Sequence, residues 1–203
     1  MNKIILKGII KNISFSHKIN DTVYNKADII VKRKDGKEDI ITICYKDIAV
    51  KYNEDQEISL TGNVRSYSKK LEDRNKVSVY VFTHGDSPIG EIETFNSVEI
   101  DGRICKLDKV RKTKDGKNNL HFILANNIFV EAKDQKINSY IPIVVWGEDA
   151  FDVEKLSVGD KITIKGELHS RYYKKYQDDG NFEIRVAHEV SAKTVKIEDD
   201  KGV

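Results

Sequence analysis

Basic and aromatic residues alternate along one stretch of this sequence, at His169, Arg171 and Tyr173. Successive side chains of a β-strand point to opposite faces, so residues two apart share one face. More such residues follow directly: Lys174, Lys175 and Tyr176. Cations can meet phosphates and flat rings can stack on bases, which is the chemistry that holds a single-stranded nucleic acid. A solvated hairpin face is the alternative interpretation of this stretch.

Two more aromatic residues, Tyr140 and Trp146, lie six residues apart on another apolar stretch. The even spacing predicts that both rings lie on the same face of a strand. Residues of the other parity, Ile141, Ile143 and Val145, can then fill a core. This pattern favours exposed rings that are available for stacking, and the alternative is that Trp146 caps the core.

These stretches belong to a repeat. ISLTGNVRSYSKK at Ile58–Lys70 returns as ITIKGELHSRYYKK at Ile162–Lys175, and NKIILKG at Asn2–Gly8 returns as NSVEIDG at Asn96–Gly102. A repeat of about 95 residues has the size of a small domain and exceeds a solenoid unit. The sequence therefore predicts one fold duplicated in tandem. The first copy offers a weaker version of the same pattern: Tyr45, Arg65, Tyr67, Lys69 and Lys70, with Tyr45 at the place of Trp146, Arg65 at His169 and Tyr67 at Arg171.

Alternation of apolar and polar residues predicts five strands in each copy. Those of the first copy are Lys3–Ile13, Lys26–Lys34, Asp39–Tyr45, Glu57–Tyr67 and Lys76–Thr83. Those of the second are Ser97–Leu107, Asn119–Asn126, Ser139–Trp146, Lys161–Arg171 and Phe182–Glu189. A short helix is predicted between the third and fourth strands of each copy, at Lys46–Tyr52 and Glu148–Leu156. This all-β layout is that of two tandem OB-folds, which are five-stranded Greek-key barrels.

The predicted domain boundaries follow from the repeat. The first OB-fold spans residues 1–84 and the second spans residues 96–190. Residues 85–95, which hold Pro88 and two glycines, are predicted to be a linker. The polar residues 191–203 are predicted to be a frayed tail.

Composition and the motifs present exclude several classes of protein. The net charge is only +2, so the total charge does not indicate a nucleic-acid partner, and the local basic stretches are more informative. No apolar run approaches the roughly 20 residues that span a bilayer, and we expect a cytoplasmic protein. Cys44 and Cys105 lie in apolar runs and are expected to be reduced, buried thiols. The scattered histidines and the lack of nucleophile and phosphate-loop motifs predict neither an enzyme, nor a metal site, nor a cofactor.

The second copy resembles the bacterial single-stranded DNA-binding protein (SSB) family. The resemblance follows the order NSVEIDGRI, HFILANN, IPIVVWGEDAF and GDKITIKGELHSRYYKK over about 95 residues. It implies that Tyr140, Trp146 and Tyr173 stack on bases, and that Arg171 and Lys174 contact phosphates. The first copy is more distant and is identified through the second.

This chain departs from the family in two ways. Family members carry one OB-fold per chain and form tetramers, whereas here two are fused, so we expect a homodimer, with a self-sufficient monomer as the alternative. Members also end in a long tail with an acidic tip, whereas here Glu198–Asp200 is followed by Lys-Gly-Val. Recruitment of repair proteins through such a tail is not expected.

The sequence therefore predicts a protein that binds single-stranded DNA with little sequence preference and protects it during replication, recombination or mobile-element transfer. An assembly factor built on duplicated OB-folds is one alternative. Single-stranded RNA binding is another, because stacking and phosphate contacts are nearly the same for both nucleic acids.

Overall fold

A computed structural model describes residues 1–70, 75–86, 96–130, 135–176 and 180–198. The first copy contains the strands β1 (Asn2–Ile19), β2 (Thr22–Lys32), β3 (Glu38–Lys46), β4 (Glu57–Lys70) and β5 (Asn75–Asp86). The second contains β6 (Asn96–Leu107), β7 (Arg111–Lys112), β8 (Asn118–Val130), β9 (Gln135–Trp146), helix α1 (Asp149–Glu154), β10 (Lys161–Tyr176) and β11 (Phe182–Ile197). The prediction of a nearly all-β chain is confirmed. No helix in these ranges is long and apolar enough to span a bilayer.

The strands of each copy pair in a closed circuit. In the first copy β1 pairs with β2 and β4, β2 with β3, β4 with β5, and β3 runs parallel to β5. The second copy repeats this circuit of neighbouring strands in the order β6, β8, β9, β11, β10 and back to β6, and β9 runs parallel to β11. Antiparallel pairing of β1 with β6, from Asn2 opposite Ile100 to Leu6 opposite Asn96, joins the copies. The core lies inside the circuits, where alternate residues such as Ile4, Leu6, Val98 and Ile100 are buried.

Two repeated glycines allow the circuits to close. β1 pairs with β4 from Ile4 to Ile9 and with β2 from Ile9 onward, so neighbouring strands converge beside Gly8. A Cβ atom at Gly8 would collide with the carbonyl oxygen of Ile30, and one at Gly102 would collide with that of Ala125. The glycine that ends each apolar run in the sequence therefore marks the crossing from one partner strand to the next.

The helix predicted in the first copy is absent. Residues 47–49 form a turn after β3, whereas α1 lies within the segment predicted for the second copy. Helix α1 buries Ala150 and Val153, three residues apart on one helical face. In the first copy Ile48 is 90% exposed, and the buried residue is Tyr52, whose ring packs edge-on against Tyr45 at 4.8 Å. The Tyr52 ring and the partly buried Val50 therefore anchor the segment to the core, and their spacing of two residues does not form one face of a helix.

The boundary predicted at residue 190 is wrong. Strand β11 continues to Ile197, with Lys196 opposite Thr163 on β10. The Glu198 N–H then donates to the Lys161 carbonyl oxygen at 2.9 Å. Val195 packs against the core while its neighbours are polar, which is the pattern of a half-buried strand rather than a frayed tail. Residues 87–95 of the predicted linker and 199–203 of the predicted tail lie outside the described residues.

The two thiols differ in exposure. Cys44 is buried as expected, but Cys105 is exposed, which corrects the prediction for that residue. Cys105 lies at an irregularity in the pairing of β6 with β8, between Ile104 and Lys106. The extra residue there shifts the alternation of faces, so an apolar neighbourhood in sequence did not ensure burial.

Candidate nucleic-acid interface

Strand β9 presents Tyr140 and Trp146 on its outer face. Their side chains are 43% and 41% exposed, whereas the intervening Ile141, Ile143 and Val145 are buried in the core. The alternation deduced from the sequence therefore places both rings outside the second copy. An exposed tryptophan on a strand is a large apolar surface that a base can cover.

Tyr45 does not match Trp146. Ile43 pairs with Val81 just as Ile143 pairs with Val190, so the register makes Tyr45 equivalent to Val145. Tyr45 is 1% exposed, and burial raises the pKa of its hydroxyl. The prediction that Tyr45 lies on a binding surface is therefore wrong. That prediction aligned Tyr45 with Trp146 because both are aromatic. Tyr45, however, lies two positions after the buried Ile43 and therefore shares its inward face.

Strand β10 carries the candidate basic and aromatic residues beyond the predicted end of the strand. Lys174, Lys175 and Tyr176 lie beyond the predicted strand end at Arg171, but they continue β10 and pair with Ile184, Glu183 and Phe182 of β11. The Lys174 ammonium lies 4.1 Å from the centre of the Phe182 ring, whose other neighbour is Tyr176 at 5.9 Å. Pairing with β11 holds these cations and rings on a regular ribbon.

Arg171 is 59% exposed in its side chain and lies on the outer face of β10. Its Nε atom is 3.7 Å from Glu189 of β11, a loose ion pair that leaves the guanidinium open to solvent. Tyr173, two residues further along the same face, is half-buried. Among the predicted phosphate contacts, Arg171 is thus accessible.

His169 contacts the other copy. Its Nδ1 atom lies 2.9 Å from the carboxylate of Asp39, which is fully buried in β3. Asp39 also accepts hydrogen bonds from Arg33 Nε at 2.7 Å and from the Ser170 N–H at 2.6 Å. Burial alone would raise the pKa of Asp39, but the hydrogen bonds from His169, Arg33 and Ser170 outweigh it and hold that pKa well below its usual range. His169 is therefore placed to join the two copies, on the same face as Arg171.

The first copy carries a cluster of rings that the sequence did not reveal, in which Phe82 and Tyr24 are buried and Tyr80 is partly buried. The Arg65 guanidinium lies 4.0 Å from the centre of the Phe82 ring, and burial lowers the pKa of Arg65. Tyr67 contacts Tyr80 with ring centres 6.1 Å apart. Tyr80 and Phe82 are two apart on β5, and this even spacing could have revealed their shared outer face. Another ring, Tyr24, packs on Phe82 at 6.3 Å and stacks on His17 at 4.6 Å.

Two lysines end the equivalent strand of the first copy. Lys69 and Lys70 lie on β4 opposite Lys76 and Asn75 of β5. Residues 71–74, which include Glu72 and Asp73, lie outside the described residues.

The candidate residues thus form two groups. Tyr140, Trp146 and Arg171 lie exposed on the second copy, and Tyr67, which is itself 58% exposed, lines one cavity between the copies together with Tyr173. In the described part of the chain, no three His, Cys, Asp or Glu side chains come together in a way that could hold a metal ion.

Comparison with known proteins agrees with this geometry. The model of a family described as the single-strand binding protein family matches residues 95–197. A search of curated proteins found no match. Among solved structures, the wild-type single-stranded DNA binding protein from Thermus aquaticus matches with a TM-score of 0.73 and 15% identity, over 100% of this chain and 95% of that chain. A deletion mutant of the Thermus aquaticus protein matches with a TM-score of 0.71 and 15% identity, over 100% of this chain and 97% of that one. At this identity the two structures show a shared fold.

Proposed function

Because this chain belongs to the single-strand binding protein family and binds single-stranded DNA, we propose that it coats the strand with little sequence preference. The coat protects DNA that is exposed during replication, recombination or mobile-element transfer. The single observation that carries the proposal is the exposure of Trp146 and Tyr140 on the outer face of β9, in a copy whose strand β10 ends in basic and aromatic residues. Ring faces stack on any base, so this surface binds without reading sequence.

Each closed circuit of strands is, in this proposal, one OB-fold. The first domain spans residues 1–86, to the end of β5, and the second begins at residue 96 and extends to the end of β11 at Ile197. The parallel pairings of β3 with β5 and of β9 with β11 close the two circuits and support two equivalent barrels. Residues 85 and 86, predicted to be linker, belong to β5, and residues 87–95 then serve as the linker.

Phosphate binding is assigned to the cations of β10 and β4. Arg171, Lys174 and Lys175 of the second copy form the main group, with Lys69 and Lys70 as a second group in the first copy. Arg65 contributes by holding the Phe82 ring. His169 contributes by fixing the position of β10 against Asp39.

A fluorescence titration tests the function. Trp146 is the sole tryptophan, so stacking on a base should quench the intrinsic emission strongly when oligo-dT is added. Anisotropy of a labelled oligonucleotide measures binding independently, and the Trp146→Phe variant serves as the control for emission. Parallel titrations with oligo-U and duplex DNA establish the preference for DNA over RNA and for single strands.

The outcomes separate two claims. Saturating binding by anisotropy with no change in Trp146 emission rules out stacking by Trp146. Absence of oligo-dT binding by anisotropy contradicts the proposed function itself, and tighter binding of oligo-U than of oligo-dT favours an RNA ligand.

A further inference from the structure

The hairpin of β7 and β8 carries exposed cations that the proposed function leaves unassigned. The members of this group, here called the basic hairpin, are all exposed: Lys109, Arg111, Lys112, Lys114 and Lys117. Among the described residues none of them has an ion-pair partner, since the neighbouring carboxylate of Asp108 pairs with Lys106 at 3.3 Å. The other acidic residue of this stretch is Asp115 in the turn. The basic hairpin is therefore a local excess of positive charge.

Backbone contacts hold the basic hairpin in place. The Thr113 N–H donates to the Lys117 carbonyl oxygen at 2.8 Å, and the Lys117 N–H donates to Thr113 Oγ1 at 3.0 Å, which closes the turn. Before the turn, the Val110 N–H donates to a carboxylate oxygen of Glu154 on α1 at 2.9 Å, and the Val110 side chain packs against the core. The cations are thus carried by an anchored ribbon with an exposed tip.

The first copy closes the same circuit of strands without such a group. Its β1 and β2 are joined by a tight turn at residues 20–21, where Lys18 pairs with Asp21 at 3.7 Å. Lys11 of β1 pairs with Asp55. Unpaired cations at this place are therefore not needed to form the circuit. In the second copy they are available to a negatively charged ligand.

The basic hairpin adjoins the exposed tryptophan. Arg111 lies opposite Asn119, and Asn119 lies opposite Trp146 of β9. Residues directly opposite each other on antiparallel strands share a face, so Arg111 lies on the outer face that carries Trp146. Two strand spacings separate their backbones by about 10 Å, which equals about three nucleotide rises of 3.4 Å. DNA with a base on Trp146 therefore reaches the basic hairpin within a few nucleotides.

The composition of the basic hairpin favours a duplex over a single strand. Residues 103–118 contain no Phe, Tyr or Trp, so the ribbon offers cations to phosphates but no ring to an unpaired base. Duplex DNA carries one negative charge per about 1.7 Å of its axis, and its major groove admits a two-stranded β-ribbon. An acidic protein also complements lysines, but DNA is the anion that the proposed function already places beside Arg111.

We propose that the basic hairpin binds the phosphates of duplex DNA next to the bound single strand, so that the protein recognises the junction between single-stranded and double-stranded DNA. Lys114 and Lys117 at the tip contact the duplex, and Arg111 holds the backbone between the duplex and Trp146. The site rests on the proposed function, because the single strand on Trp146 brings the duplex to the ribbon. Backbone contacts carry no sequence information, so junctions of any sequence are accepted.

Tailed duplexes test the junction site. Anisotropy compares a short dT tail on the 5′ or the 3′ end of a stem-loop duplex with the same tail alone and with the blunt stem-loop. We expect the tailed duplex of at least one polarity to bind about fivefold or more tighter than the tail alone, with a steeper salt dependence because more phosphates are contacted. Equal affinities of the tail and of both tailed duplexes overturn the junction site and leave the binding function intact. Failure of the tail alone to bind, even when it is lengthened, contradicts the proposed function instead.

Two matched turns locate the duplex. Lys114→Ala combined with Lys117→Ala should abolish the gain from the duplex and leave the affinity for the tail alone within about twofold. Lys34→Ala combined with Lys37→Ala is the control and should keep the gain, because the same residues, KDGK, form an exposed turn between β2 and β3. Circular dichroism and the emission of free Trp146 verify folding.

Three outcomes of the variant experiment contradict the proposal. An undiminished gain in the Lys114 and Lys117 variant shows that these lysines do not contact the duplex. Equal losses for the tail and for the tailed duplex place the lysines on the single strand. Binding of oligo-glutamate that the variant loses, with no gain from the duplex in the wild-type chain, identifies an acidic protein as the ligand.

Discussion

His169 of β10 lies 2.9 Å from Asp39 of β3, although the two residues belong to different copies of the repeat. The equivalent contact on the other side of the molecule is between neutral groups. There the Tyr140 N–H donates to Ser66 Oγ at 2.7 Å, and the Ser66 N–H donates to Ser139 Oγ at 3.4 Å. The copies therefore meet at two related seams, and only the seam at Asp39 contains a buried carboxylate among the described residues.

Replacing Asp39 should weaken the charged seam. Asp39→Asn removes the carboxylate that accepts hydrogen bonds from Arg33, His169 and Ser170, and leaves buried donors poorly paired. We expect the free energy of unfolding to fall by about 1–3 kcal/mol, measured by chemical denaturation at neutral pH. Asp35→Asn, in the exposed turn between β2 and β3, is the control and should change it by less than about 0.5 kcal/mol. Equal effects of the two substitutions would contradict the role of the seam.

The same carboxylate makes a pH-dependent contribution. The hydrogen bonds lower the pKa of Asp39 in the folded chain below the value of about 3.9 for an unfolded chain. Its stabilisation is therefore complete above about pH 4 and is lost as the pH falls toward the lowered pKa. In denaturation curves recorded between neutral pH and about pH 2, Asp39→Asn should show a flatter fall in stability than the wild-type chain below about pH 4. Parallel curves would show that Asp39 does not titrate with folding.

Much of the outer face of the second copy could be predicted from the sequence. Period-two alternation placed Tyr140 and Trp146 outside and Ile143 inside, because face is a local property of a strand. Tyr45 was misplaced because equivalence between copies depends on which residues pair across strands, and Ile43 opposite Val81 sets that register. To decide which face a residue lies on, counting even or odd steps from a core residue was more reliable than matching residue types between the copies.

Contacts between the copies could not be predicted. Asp39 and His169 are 130 residues apart, and neither alternation nor composition indicates that a charged strand residue will meet a partner there. The cavity that unites Tyr67 with Tyr173 depends on the same long-range packing. By contrast, the even spacing of Tyr80 and Phe82 on β5 was enough to predict that they share the face of the strand that points away from the barrel core.

The lysines at the end of β10 should account for part of the salt dependence of the affinity for single-stranded DNA. If Lys174 and Lys175 contact phosphates, the plot of log affinity against log salt concentration has a slope of about −0.7 per contact for single strands. Lys174→Ala combined with Lys175→Ala should flatten the slope by roughly one unit or more in anisotropy titrations with oligo-dT. Lys155→Ala with Lys196→Ala is the control, because these exposed lysines already face carboxylates of Asp152 and Glu198. An unchanged slope in the first variant would show that its lysines are only a solvated face.

Assembly is the last testable property. Pairing of β1 with β6 places the two copies side by side in one sheet, as expected if one chain corresponds to two single-domain chains. Since the resemblance to the SSB family implies four OB-folds per assembly, a homodimer would supply them, and twofold closure is the commonest symmetry of oligomers. Light scattering at micromolar concentration without DNA should give about twice the chain mass of 23.2 kDa. A mass near that of one chain throughout a dilution series would contradict the dimer. The fused copies would then act as a monomer, and the proposed binding of single-stranded DNA would be unaffected.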